Sequence, residues 1–145
     1  MPESVITDAM RAMLDREVDE GIAEVTTTSC RFFARAVGHT DPIFYDEAAA
    51  RARGFRSIVA PPGHLGTPIG GPTTREQIAV PAPIARLHYP YRRVLDGGTE
   101  YEYFETVTAG DVLASRSKIT RFDERVGSIG PMIIDRKSTR LNSSH

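Results

Sequence analysis

The chain has 145 residues, 40% of them apolar and 26% charged, which suits one domain with a modest core and leaves no room for a second. A formal net charge of -1 offers no basic excess to a nucleic-acid backbone, and no run approaches the roughly 20 consecutive apolar residues that span a bilayer. The opening MPESVITDAMRAM lacks a basic segment followed by an apolar block, and the one cysteine, Cys30, has no intrachain partner for a disulfide, so a cytoplasmic location is expected.

In residues 4–14 the apolar side chains Val5, Ile6, Ala9, Met10, Met13 and Leu14 recur at spacings of three and four, which predicts a lead helix with one buried stripe. Residues 20–25 read as a brief strand. Thr26 then caps a helix carrying Phe32, Phe33, Ala36 and Val37, and Gly38 is placed to end it in the left-handed conformation. Asp41-Pro42 breaks helical geometry, because proline biases the residue before it toward extended backbone. From Asp46, DEAAARARG has an acidic first turn, an interior of alanine and arginine, and Gly54 as a stop, which predicts a second helix. Ile58, Val59 and Ala60 lead into the core, and Pro61-Pro62 marks the start of a further helix. That helix must be short, since Pro68, Gly70, Gly71 and Pro72 follow at once and an internal proline costs about 3 kcal/mol. Residues 66–74 are then a loop or a frayed helix end. Residues 101–107, 112–122 and 128–134 show the alternation and β-branched content of antiparallel strands, with turns at Gly97-Gly98 and Ala109-Gly110-Asp111.

The last eleven residues, DRKSTRLNSSH, break from the pattern upstream and match the translation of a common sequencing adapter that begins GATCGGAAGAGCACACGTCTG. Residues 135–145 are therefore expected to be a non-native tail on a domain spanning 1–134. Without that tail the chain carries 15 basic and 18 acidic residues, a formal charge of -3.

The run AVGHTDPIFYDEAAARARGFRSIVAPP, from Ala36 to Pro62, resembles the signature of MaoC-like hydratases of the N-terminal, fatty-acid-synthase-like dehydratase type. RVLDGGTEYEYFETVTAGDVL and SIGPM extend the resemblance from about Thr26 to Met132. Catalytic members of the wider family carry Gly-Asp-x-Asn-Pro-aliphatic-His, and this chain keeps Gly38, Pro42 and Ile43 in register. It departs at three positions, with His39 in place of the Asp, Asp41 in place of the Asn and Phe44 in place of the His. The resemblance implies an α+β hot-dog domain, an antiparallel sheet around a short central helix. It also implies C-terminal truncation, because about two strands' worth of sequence normally follows GPM. A cut at Ile134 would leave an unpaired sheet edge.

In active members the Asp and His activate one water, and a backbone N–H at the start of the central helix polarises a thioester carbonyl. Phe44 can neither transfer a proton nor donate a hydrogen bond. His39 with Asp41 is the remaining candidate acid-base pair, although side chains two residues apart need not converge. Proline has no N–H, so at Pro61-Pro62 the carbonyl donor would have to be Gly63 or His64, one position later; the prolines equally suit an ordinary first helical turn. The resemblance thus predicts no catalytic residues, with His39 and Asp41 as the candidates if there are any, and substrate contacts at Phe44, Pro62, Gly63 and His64. His64 can line an acyl tunnel or be structural. His88 with Arg86, Arg92 and Arg93 can meet the phosphates of a carrier or form a solvated loop. The four histidines lie far apart without metal-ligand spacing, so no metal and no cofactor are expected. No Gly-rich phosphate loop appears either.

The expected function is the non-catalytic, acyl-chain-binding half of an enoyl-thioester hydratase or 3-hydroxyacyl-thioester dehydratase in fatty-acid metabolism, so that the chain is a component of a hydro-lyase complex. Its substrate would be an acyl-CoA or acyl-ACP thioester. Its partner would be a catalytic MaoC-type hot-dog domain, as a hetero-oligomer or a fusion, or a second copy in a homodimer. The alternatives are a self-sufficient hydratase using His39 and Asp41 and a non-enzymatic acyl-thioester binding domain.

Overall fold

The computed structural model describes residues 4–66, 91, 93, 95–128 and 130–144. Three short helices precede two long strands: α1 (Asp8–Arg11), β1 (Val18–Glu24), α2 (Thr27–Val37), α3 (Glu47–Ala52), β2 (Val112–Gly127) and β3 (Gly130–Ser144). Single 3-10 turns stand at Pro42–Phe44 and His64–Gly66. The strands form one antiparallel sheet in the order β1-β2-β3, the α+β arrangement expected.

Helix α2 follows its sequence signals closely. The Thr26 side chain accepts from the Ser29 amide while the Ser29 hydroxyl accepts from the Thr26 amide, a reciprocal cap that satisfies two N–H groups left open at the helix start. Gly38 closes the helix at φ 80°, where a side chain would be strained. Asp46 caps α3 from one side only, its side chain accepting from the Ala48 amide.

The lead helix is shorter than its stripe predicts, running only from Asp8 to Arg11. Tertiary bonds pull both flanks out of helical geometry. The Glu124 carboxylate takes the Ser4 hydroxyl at 2.6 Å and the Ile6 amide at 2.9 Å, and the Asp15 amide donates to Ile119 O at 2.8 Å. Of the stripe, Met10 is buried with Ile119 at the centre of a cluster that the partly buried Ile6, Met13 and Leu14 flank, while Ala9 is exposed.

Two strand expectations change. Residues 101–107 are irregular, because among the described residues this segment finds no ladder partner; pairing begins only at Thr108, in an isolated bridge with Val59. Strands β2 and β3 are longer than expected, and β3 runs from Gly130 through Ser144 with Asp135 opposite Phe122 and Ser144 opposite Val112. A ladder is made by backbone groups, so any extended, proline-free segment can satisfy the open edge of β2. Residues 135–144 do so with one register shift, opposite Ile119 and Arg121, and Leu141 packs against the core of Val25, Cys30, Ile58 and Leu113.

Expectations that fall on residues 67–90 lie outside the described residues, among them Gly70-Gly71 and the later course of the central helix. The same holds for Arg86, His88 and Arg92.

Candidate functional site

Three segments are tied together behind α2. The Val59 amide donates to Ile43 O at 3.0 Å, joining residues 58–60 to the first 3-10 turn. On the other side the Ala60 amide donates to Val107 O at 2.9 Å and the Ala109 amide to Ile58 O at 2.8 Å. The buried Asp111 carboxylate fixes the turn that follows, accepting from the Thr108 amide at 3.0 Å and from Arg56 at 2.8 Å.

Between these segments lies a cavity of about 330 Å³. Among the described residues its lining is apolar at Phe44, Phe55, Val59, Pro61 and Leu65 on one side and at Phe104 and Val107 on the other, and the polar residues Tyr103, Glu105 and Thr106 all lie on that second side. Phe44 is 9% exposed and packs with Ala34 and Val59.

His39 and Asp41 have separate surroundings. The His39 ring leans on Phe44, with centroids 5.1 Å apart and planes at 43°, and its carbonyl accepts from the Tyr45 hydroxyl. The Asp41 carboxylate caps the Pro42–Phe44 turn by accepting from the Ile43 amide at 3.1 Å, and both its oxygens meet Arg53 Nη1 at 2.7 Å. The Arg53 guanidinium, followed by the Ile43 amide, holds this carboxyl below its ordinary range. Neither His39 nor Asp41 is among the residues lining the cavity.

The Pro61–Gly66 region is equally specific. Pro62 lines the cavity, and Pro61 is fully buried. Both candidate carbonyl donors are engaged, the His64 amide with Pro61 O at 3.0 Å and the Gly63 amide with the Tyr103 hydroxyl at 2.8 Å. Gly63 has φ +87°, and a Cβ there would sit 3.4 Å from the Phe33 ring. His64 is 3% exposed, its ring edge-on to Phe33 and its Nε2 3.0 Å from Ser29 Oγ. The Ser29 hydroxyl already donates to Thr26 O at 2.9 Å, so Nε2 is the donor of that pair. Burial lowers the His64 pKa and keeps the ring neutral. Burial also pushes the Cys30 thiol up to about 11, which leaves it protonated and a poor nucleophile at neutral pH.

The sequence offers no sign of Tyr103, which falls in a stretch that reads as an ordinary strand. The Ser29–His64 contact spans 35 residues, and its one clue is the placement of Ser29 at the third position of a capped helix. Among the described residues no group of three or more His, Cys, Asp and Glu side chains could hold a metal ion, and no helix is long and apolar enough to cross a membrane.

Among solved structures, the crystal structure of a C-terminally truncated HadBC (3R-hydroxyacyl-ACP dehydratase) complex from Mycobacterium tuberculosis superposes with a TM-score of 0.53. The match covers 89% of this chain and 96% of that one at 24% identity, a likeness of fold. The architecture is thus that of the hot-dog dehydratases, and the α+β sheet follows it.

The family described as "FAS1-like, dehydratase domain region" matches residues 12–145, and the chain belongs to it as a MaoC-like hot-dog dehydratase domain. Curated relatives include a UPF0336 protein of Parafrankia sp. (strain EAN1pec), 37% identical over 89 residues, which are 61% of this chain and 56% of that protein. A UPF0336 protein of Streptomyces griseus is 34% identical over 105 residues, 72% of this chain and 67% of that protein. One from Streptomyces coelicolor is 32% identical over the same length and the same shares. The chain therefore spans between about half and two thirds of these relatives.

Proposed function

We propose that this chain is the non-catalytic, acyl-chain-binding half of an enoyl-thioester hydratase or 3-hydroxyacyl-thioester dehydratase, acting beside a catalytic MaoC-type hot-dog domain on acyl-CoA or acyl-ACP. The observation that carries the reading is Phe44. It stands where active relatives place a histidine, and its ring is a wall of the 330 Å³ cavity. A cavity of that size with apolar walls and few polar groups suits a small acyl ligand, and each buried methylene adds about 0.8 kcal/mol.

A self-sufficient hydratase fits these surroundings less well. Water addition needs a proton acceptor and a proton donor near the β-carbon, and the Asp41 carboxylate is occupied by Arg53 and the Ile43 amide. The catalytic pair would come from the partner, a division of labour in keeping with the two-component HadBC complex to which the fold is similar.

The test is hydration of crotonyl-CoA, followed as loss of enoyl absorbance, with this chain alone and co-expressed with a MaoC-type protein. Activity only in the pair is expected. Turnover by the chain alone would overturn the reading.

A further inference from the structure

Among the described residues, the polar groups of the cavity lie along a single seam. Of the described residues that line it, the eight from Ile43 to Leu65 are apolar, and the three polar ones sit within residues 103–107. A cavity so divided favours a ligand with an apolar chain and one polar group.

Tyr103 is the hydroxyl in that seam with a fixed role. Its oxygen accepts the Gly63 amide at 2.8 Å, which uses one lone pair and leaves its own proton to donate. A hydroxyl that accepts a hydrogen bond also becomes a better donor through polarisation. The ring is steadied by stacking on Tyr101, with centroids 5.9 Å apart and planes at 20°. Nearby, Glu105 also lines the cavity, and a negative charge there disfavours a ligand that ends in a carboxylate.

We infer that Tyr103 is a ligand-binding residue whose O–H donates to the carbonyl oxygen of a neutral acyl thioester, the acyl chain lying along Phe44, Phe55 and Val59. The inference rests on the acyl-binding reading above and adds to it a named polar contact and a selection against free fatty acids. The Gly63 amide acts through the phenol, which places the carbonyl one hydroxyl further into the cavity than a direct backbone donor would.

Calorimetric titration of the wild type and Tyr103→Phe with octanoyl-CoA and with its thioether analogue S-octyl-CoA, which has the chain but no carbonyl, tests this. The wild type is expected to bind both. Tyr103→Phe should bind octanoyl-CoA about 2- to 12-fold more weakly, the span of one net hydrogen bond, and S-octyl-CoA as the wild type does. Equal losses on both ligands, or none on either, would overturn the role of Tyr103 while leaving acyl binding intact. Failure of the wild type to bind either ligand would overturn acyl binding itself, and this inference with it. Retained S-octyl-CoA binding reports that the variant is folded.

Discussion

The two polar segments that flank the cavity are organised in opposite ways. In residues 39–45 the polar groups turn back on the chain: Asp41 holds Arg53 and the Ile43 amide, and the His39 carbonyl takes the Tyr45 hydroxyl. Only Ile43 and Phe44 of that segment reach the cavity. Across from it, Tyr103, Glu105 and Thr106 line the same space, with the Tyr103 hydroxyl tied to Gly63. The first segment is the one that would hold acid-base groups in an active relative. Here it forms an apolar wall, and among the described residues the polar lining lies on the other side.

The largest effect that breaks this comparison should come from Phe44→Ala. Truncating a mostly buried aromatic ring costs about 3 kcal/mol, read as a lower midpoint in urea unfolding, and it should also shift acyl-CoA preference toward longer chains. Gly63→Ala should cost about 1–2 kcal/mol, because φ +87° strains any side chain. That variant should also weaken the Tyr103 contact, sharpening the role of the second segment.

Acid should act through His64. Its folded pKa lies below its ordinary value of 6.5, so folding favours the neutral ring. The stabilisation is complete above about pH 6.5 and is lost as pH falls toward the folded value. His64→Gln should flatten the decline in urea midpoint between pH 7 and 5. The smallest change is expected from Asp41→Asn, which keeps an acceptor for the Ile43 amide and removes the charge that pairs with the exposed Arg53. Its melting temperature should fall slightly at neutral pH, and the gap to the wild type should narrow as the pH falls below the ordinary carboxylate range and Asp41 takes up a proton.

Local signals in the sequence carried well. Thr26 and Gly38 bound α2, Asp46 opens α3 and Gly54 follows it, and each acts through hydrogen bonds within a few residues or through its own φ angle. Pairing was less legible, because a strand needs a partner that alternation does not name. Residues 101–107 alternate without a ladder, and residues 135–144, hydrophilic and expected as a non-native tail, form one. Deleting residues 135–145 should bare the β2 edge and promote association, seen as a concentration-dependent rise in light scattering. At the site, the apolar residue at position 44 that lines the cavity could be read directly from the sequence. The phenol at Tyr103 could not, since its bond to Gly63 joins residues 40 apart.

The most direct test of the account is the crotonyl-CoA hydration rate of the partnered protein carrying His39→Gln. A rate within about twofold of wild type is predicted, since the proposed function assigns proton transfer to the partner. A fall of about 100-fold or more, the usual loss when an acid-base group is removed, would make His39 a catalytic residue and contradict the account.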